Sequence, residues 1–403
     1  MNTLLIEPLP LQIKDDQIIR SCHVVRLDND NEIDRQTLWF QFPNIIQPSD
    51  EQDCDSYLLC ILMDALTEAR AIIVKGSVSS SLLSNLIEYQ RAWNMWRPNN
   101  YSIVDITVEY VRKDIGRVDG AVCAFSGGAD SMFSVWQHTK NKNSYRTQKI
   151  NFCSLIHGFD IPLADTEAFT TVLESSREIL ADINLSVLPI KTNYRNITRA
   201  DWGFSHGSAL VGVLVNFKQN AGACLVGSSY PYAYLNIPWG SSPITDHLLG
   251  SEEFPVMHDG ASYTRTEKVN AFALWKVGVN NLRVCWEGKI KDKNCGRCEK
   301  CVRTQFNFLA CGYPIPSCFP ADSNPYAELK KIIPKHQGIR SEWQQIHDYA
   351  ALHNIGDSWR PYTIKIVNRG LPRFLSFSKS GYIRTKLREV RRRRKGEAQR
   401  KIQ

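Results

Sequence analysis

Residues 121–136 read AVCAFSGGADSMFSVW: an apolar run, a polar turn with two glycines, and the start of a helical pattern. That order has a physical use. A helix N-terminus presents unpaired N–H groups and a partial positive charge, and Gly127 and Gly128 let the backbone close on an anion with no Cβ in the way. Ser126 and Ser131 add hydroxyl donors, and Asp130 is placed either to cap the helix or to hold the magnesium that accompanies a triphosphate. A plain structural turn is the alternative, since Gly-Gly between strand and helix is common. The flanking serines and the position after the first strand of an α/β pattern favour the phosphate reading. The Gly-x4-Gly-Lys-Ser/Thr and Gly-x-Gly-x-x-Gly patterns are absent, which argues against γ-phosphate transfer and against a dinucleotide oxidoreductase.

Outward from this stretch, INFCSLIH (150–157), LSVLPIK (185–191), ACLVG (223–227) and LRVCW (282–286) are further apolar strand candidates, with helical patterns between most of them. Near-continuous apolar strands alternating with helices predict a doubly wound parallel α/β sheet, with ligands beyond the C-terminal strand ends. Residues 118–320 are assigned to this domain. Residues 1–117 combine extended runs, IIRSCHVVRL (18–27) and TLWFQF (37–42), with an amphipathic helix, DSYLLCILMDALTEA (55–69), and are expected to form an accessory α+β domain, suited to recognising an acceptor or to dimerisation. Residues 321–403 form an extension, helical at SEWQQIHDYAALH (341–353).

The chain has 403 residues and a formal charge of +8, and its segment 384–403 holds ten of the 49 Lys/Arg with only Glu389 and Glu397 against them. The tail therefore carries the whole net charge. Binding of nucleic acid or an anionic surface would be a property of that tail, with a solvated tail as the alternative. The opening MNTLLIEP lacks the pattern of a secretion signal, and no stretch reaches the ~20 apolar residues of a membrane span. A cytoplasmic setting is expected, so clustered cysteines read as metal ligands.

Of twelve cysteines, Cys285, Cys295, Cys298 and Cys301 lie within seventeen residues as Cys-x9-Cys-Gly-x-Cys-x-x-Cys. Thiolates at this spacing reach one tetrahedral ion, and Gly296 eases the turn. Zinc in a closed site is expected, with an iron–sulfur cluster as the rival. Cys123 reads as core, and Cys311 and Cys318 as packing.

The loop SGGxDS, from Ser126 to Ser131, resembles the signature of the PP-loop ATP pyrophosphatases, which adenylate a substrate oxygen and release pyrophosphate. The segment VCWEGKIKDKNCGRCEKCVRT (284–304) resembles the zinc segment of the 7-cyano-7-deazaguanine synthase branch. The resemblance covers roughly residues 118–312. It implies an adenine-nucleotide fold with a zinc knuckle, with ATP and magnesium bound by Ser126, Gly127, Gly128, Asp130 and Ser131. It also implies adenine-side contacts at the strand end holding His157 and Gly158.

Between the two motifs, residues 199–214, 227–253 and 265–272 do not reproduce the substrate segments of that branch. Trp202 and His206, with Tyr230 and Trp239, offer flat surfaces for a planar ligand, and Arg199, Arg265 and Lys268 offer cations for a carboxylate or an adenylate phosphate. Each has a plainer reading as core or solvated surface. Trp202, His206 and Arg199 are taken as substrate candidates, and Asp130, Ser131, Arg265 and Lys268 as catalytic ones.

The expected activity is that of an ATP-dependent carbon–nitrogen ligase. A carboxylate, a deazaguanine acid if the resemblance extends to substrate, is adenylated and captured by ammonia or an amine, including a protein amine. A sulfur transferase acting on tRNA and an inactive nucleotide-binding scaffold are the alternatives.

Overall fold

The computed structural model describes residues 2–141, 145–235, 238–285, 288 and 290–369. The basic run at 384–403 lies outside them. Strands β1 (Asn2–Lys14), β2 (Gln17–Asp28) and β3 (Asn31–Pro43) form an antiparallel meander. Its turns, Asp15-Asp16 and Asn29-Asp30, hold both central residues at positive φ. That is the hairpin geometry that matches strand twist, and Asp and Asn tolerate it better than most side chains. Next come α1 (Asp55–Glu68), β4 (Ala71–Ser79), α2 (Ser80–Trp96) and β5 (Ile106–Arg112).

The alternating region contains β6 (Ala121–Ala124), α3 (Ala129–Thr139), β7 (Ile150–His157), α4 (Thr166–Ala181), β8 (Val187–Thr192), α5 (Tyr194–Ile197), α6 (Trp202–Leu214), β9 (Cys224–Gly227) and β10 (Val256–Asp259). Helices α7 (Arg265–Phe272), α8 (Lys276–Asn280), α9 (Glu299–Ala310), α10 (Pro325–Leu329), α11 (Gln337–Leu352) and α12 (Arg360–Asn368) complete the described chain.

The described residues form an α/β fold, built on one mostly parallel sheet of ten strands in the order β10-β9-β6-β7-β8-β3-β2-β1-β4-β5. Strands β6 to β10 run parallel, with β6 at their centre and the winding reversing between β6 and β9. A crevice opens at such a reversal, outside the carboxyl ends of the strands. The strands of residues 1–117 continue this sheet through an antiparallel seam in which Phe40 pairs with Thr192 and Gln41 with Lys191. Asn193 reinforces the seam, accepting from Trp39 N at 3.0 Å and donating to Thr37 O at 2.7 Å.

Strand alternation buries both faces of the parallel part. Val122, Phe152, Ile190 and Val226 point to one side, where α1, α2 and α6 share a core with Leu4, Val24 and Phe40. Cys123, Cys153, Leu155 and Leu225 point to the other, against Phe133 of α3, Phe169 of α4, Val269 of α7 and Phe308 of α9. A third core, around Phe306, Trp343 and Trp359, joins α9 to the C-terminal helices.

LRVCW differs from its expected form. Residues 282–285 are not a strand, and the fifth parallel strand is β10, whose sequence VMHD is short and half polar. Val284 N and Cys285 N donate instead to the Asn294 side chain, at 2.8 and 3.2 Å, so this run serves the cysteine knuckle.

A buried ion cluster ties the two ends of the sheet together. The Lys218 ammonium sits among Asp53, Asp55 (3.1 Å) and Glu253 (2.8 Å), and Arg112 contacts the same carboxylates at 3.3, 2.9 and 2.7 Å. The lysine fills the place a cation would take among three buried carboxylates. Among the described residues no helix is long and apolar enough to cross a membrane.

Candidate functional site

The loop between β6 and α3 lies at the winding reversal. Gly127 takes φ +72°, the left-handed region where a side chain strains the backbone. Gly128 is the N-cap of α3 and no side chain caps the helix. The first-turn N–H groups of Ala129, Asp130 and Ser131 are thus left for an external acceptor. The serines brace the loop from within. Ser131 Oγ accepts from Ser126 N at 3.3 Å and donates to Gly128 O at 3.1 Å, while Ser126 Oγ accepts from Gly128 N at 3.4 Å. At the end of β9, a Cβ on Gly227 would lie 3.0 Å from the Asp130 carbonyl, so glycine there lets β9 reach the start of α3.

Asp130 is the anionic centre of a cationic site. Its carboxylate meets Arg265 Nη2 at 2.6 Å and Lys268 Nζ at 3.3 Å. Both cations come from α7, which a Thr264/Glu267 capping box opens; positions three apart share a helix face. Lys268 is 1 % exposed, and burial holds its ammonium below the ordinary lysine range. It also donates to the Ser228 carbonyl beyond β9. Lys300 of α9 feels the same field: burial and then Arg265 lower its pKa, against Asp160 and Asp130. Arg283 N donates to Gly127 O at 2.9 Å, and its guanidinium donates to Ser126 O at 3.4 Å and Lys291 O at 3.1 Å. A cleft of about 170 Å³ opens beside Gly127 and Arg283, lined also by Thr171, Ser175 and Asn281. Wider grooves of about 420 and 600 Å³ elsewhere contain none of the loop residues.

An aromatic wall is built from the loops after β7 and β9 and the start of α6. Trp202, the first residue of α6, lies 5.0 Å from Phe159 between ring centroids, with the Arg195 guanidinium 4.4 Å over it. His206 lies 5.4 Å from Trp239, which in turn lies 5.8 Å from Tyr230 and 6.0 Å from His336. Burial keeps His206 below the ordinary histidine range, so the ring is neutral near pH 7.

The structure thus gathers Ser126, Gly127, Gly128, Asp130, Ser131, Arg265 and Lys268, and groups Trp202 with His206. Two sequence candidates have other partners. Arg199 pairs with Asp34 at 2.6 Å and with Glu68 at 3.8 Å, in the ion network of the N-terminal strands. His157 is 1 % exposed, stacks on Phe169 at 4.2 Å and 7°, and contacts the Pro162 carbonyl through Nε2 at 2.9 Å. Its neighbour Gly158 has φ +106°, and a Cβ there would fall 1.9 Å from the Thr192 carbonyl oxygen, so the position admits only glycine. Arg283, Lys300, His336 and Glu342 escaped the sequence reading. Arg283 and Lys300 adjoin the knuckle cysteines in the chain, a signal that could have flagged them. His336 and Glu342 lie in no motif.

The cysteine knuckle adjoins the loop through Arg283. The four Sγ atoms lie within 4.8 Å of one another, with Cys285 to Cys298 and Cys295 to Cys301 both at 3.8 Å. Sulfurs bound to one tetrahedral ion at about 2.3 Å stand about 3.8 Å apart. The four thiolates can therefore hold one metal ion such as zinc. Cys298 N donates to Cys295 Sγ at 3.3 Å, and Gly296 turns at φ +70°. Cys311 and Cys318 stand outside this set, their thiols pushed up to about 12 by burial. Comparison of the chain with family models, with curated proteins and with solved structures finds no match.

Proposed function

We propose that the chain is an adenylating ligase that binds magnesium-ATP on the 126–131 loop. The observation carrying this reading is the uncapped, glycine-led start of α3 at the winding reversal, with Arg265 and Lys268 on Asp130 and Arg283 on the loop backbone. Helix N–H groups and cations are what a polyphosphate needs, and Asp130, 23 % exposed, offers magnesium a carboxylate beside them.

In the first step a carboxylate oxygen of the substrate attacks the α-phosphorus, the bond to the β-phosphate oxygen breaks, and pyrophosphate leaves. In the second, an amine or ammonia nitrogen attacks the acyl carbon, AMP departs, and the nitrogen gives up a proton. The chain's own contribution is charge stabilisation and alignment: Arg265 and Lys268 neutralise the departing phosphates and the loop N–H groups hold them in line, so no protein nucleophile is needed. The wall of Trp202, His206 and Trp239 suits a planar acid, in keeping with the likeness to deazaguanine synthases. Zinc is the ion the knuckle is proposed to hold, as a closed structural site. Asp130→Ala is expected to cut acid-dependent ATP–pyrophosphate exchange at least about 100-fold. Unchanged exchange would overturn the assignment.

A further inference from the structure

Arg265 is held from two sides. Its Nη2 meets Asp130 at 2.6 Å, and its Nε faces Glu342 Oε2 of α11 at 3.3 Å. The two carboxylates differ in kind. Asp130 is 23 % exposed and borders the phosphate loop, whereas Glu342 is 5 % exposed and shares its Oε2 between Arg265 and Arg303, which also meets Glu299 at 3.0 Å. Trp343 Nε1 donates to Glu299 at 2.9 Å, and the Arg265 backbone N–H reaches Gln345 Oε1 at 3.4 Å. Charges therefore alternate from the loop into the interior, Asp130, Arg265, Glu342, Arg303, Glu299, across α3, α7, α11 and α9.

Asp130 cannot serve Arg265 and a metal ion equally well. A carboxylate that turns to magnesium loses much of its hold on a guanidinium, and a buried arginine then needs another anchor. We propose that Glu342 is the positioning residue that keeps Arg265 at the phosphate loop when Asp130 engages magnesium, which makes α11 a working wall of the site. The same helix start bears on the aromatic wall, with His336 against Trp239 and Gly338 so close to Tyr230 that a Cβ would lie 2.0 Å from its hydroxyl. The C-terminal helices thus touch both the phosphate side and the planar-ligand side of the crevice.

The inference rests on the reading of the loop as a pyrophosphate site, and its test is binding, not turnover. Calorimetric titration of the full chain with magnesium pyrophosphate is expected to give about tenfold weaker affinity for Glu342→Gln than for wild type. Glu342→Asp, which keeps the charge, should stay within about threefold of wild type. If Glu342 acts through Arg265, Glu342→Gln costs nothing further in an Arg265→Gln background. Unaltered affinity in Glu342→Gln, additive losses in the double variant, or an equal loss in Glu342→Asp would each overturn the proposal. Wild type that binds magnesium pyrophosphate yet exchanges with no acid removes the ligase reading alone, and the Glu342 comparison is then decided on affinity. Wild type that binds no pyrophosphate removes both.

Discussion

Gly207, in the second turn of α6, shows how one hydrogen atom sets the spacing of the aromatic wall. A Cβ there would lie 1.9 Å from the Gly240 carbonyl oxygen, next to Trp239. Gly207→Ala gains about 1 kcal/mol of helix propensity. Forcing a backbone oxygen aside costs about 1–3 kcal/mol. Because the obstacle is main chain, the second term wins, and the variant should melt a few degrees lower; an unchanged or higher melting temperature would contradict this contact. Legibility at this scale divided by whether the signal was local. The strand, turn and helix around Ser126 to Ser131 could be read because the pattern is contiguous in the chain. Arg265 and Lys268 were reached from charge alone. Glu342 could not be read, because its role comes from Arg265, Arg303 and a helix packing that brings residues far apart in sequence together. Arg199 misled because a lone arginine carries no mark of its partner, here Asp34.

At the level of elements, the knuckle and the 126–131 loop are tied together, since Arg283 donates its N–H to Gly127 and its guanidinium to Ser126. Protein purified without air should carry one zinc per chain by elemental analysis. Removing it with a chelator should lower the melting temperature and expose residues 283–298 to protease. Iron with labile sulfide would contradict the single-ion geometry. The mainly apolar strands, β6 to β9, were legible from pattern. Residues 282–285 were not, because an apolar run says nothing of where its N–H groups go, and here Asn294 receives those of Val284 and Cys285. β10 was missed for the opposite reason: its four residues are half polar.

For the molecule as a whole, the Lys218 cluster is a buried polar tie between the N-terminal region and the parallel sheet. Burial, with Asp53 close by, raises the Asp55 carboxyl from 3.8 to about 6. The folded state therefore holds a proton that the unfolded chain releases, and Asp55's contribution to stability falls as pH rises from about 4 to about 6. Lys218→Met leaves Asp53, Asp55 and Glu253 with Arg112 as the remaining cation among the cluster's pairs. Loss of one partner of a buried ion group costs about 3–5 kcal/mol. Urea unfolding should give that loss near pH 7 and a smaller one at pH 5, where protonation relieves the carboxylates; equal losses at both would count against the cluster. The seam between β3 and β8 has a practical consequence for anyone wishing to shorten the chain. A cut near residue 117 would bare a hydrogen-bonding edge on each fragment and strip α6 from α1, where Gly212 lies so close that a Cβ would fall 2.7 Å from Cys60 Sγ. Neither fragment would be soluble by itself, and the two would have to be produced together to recover a native particle.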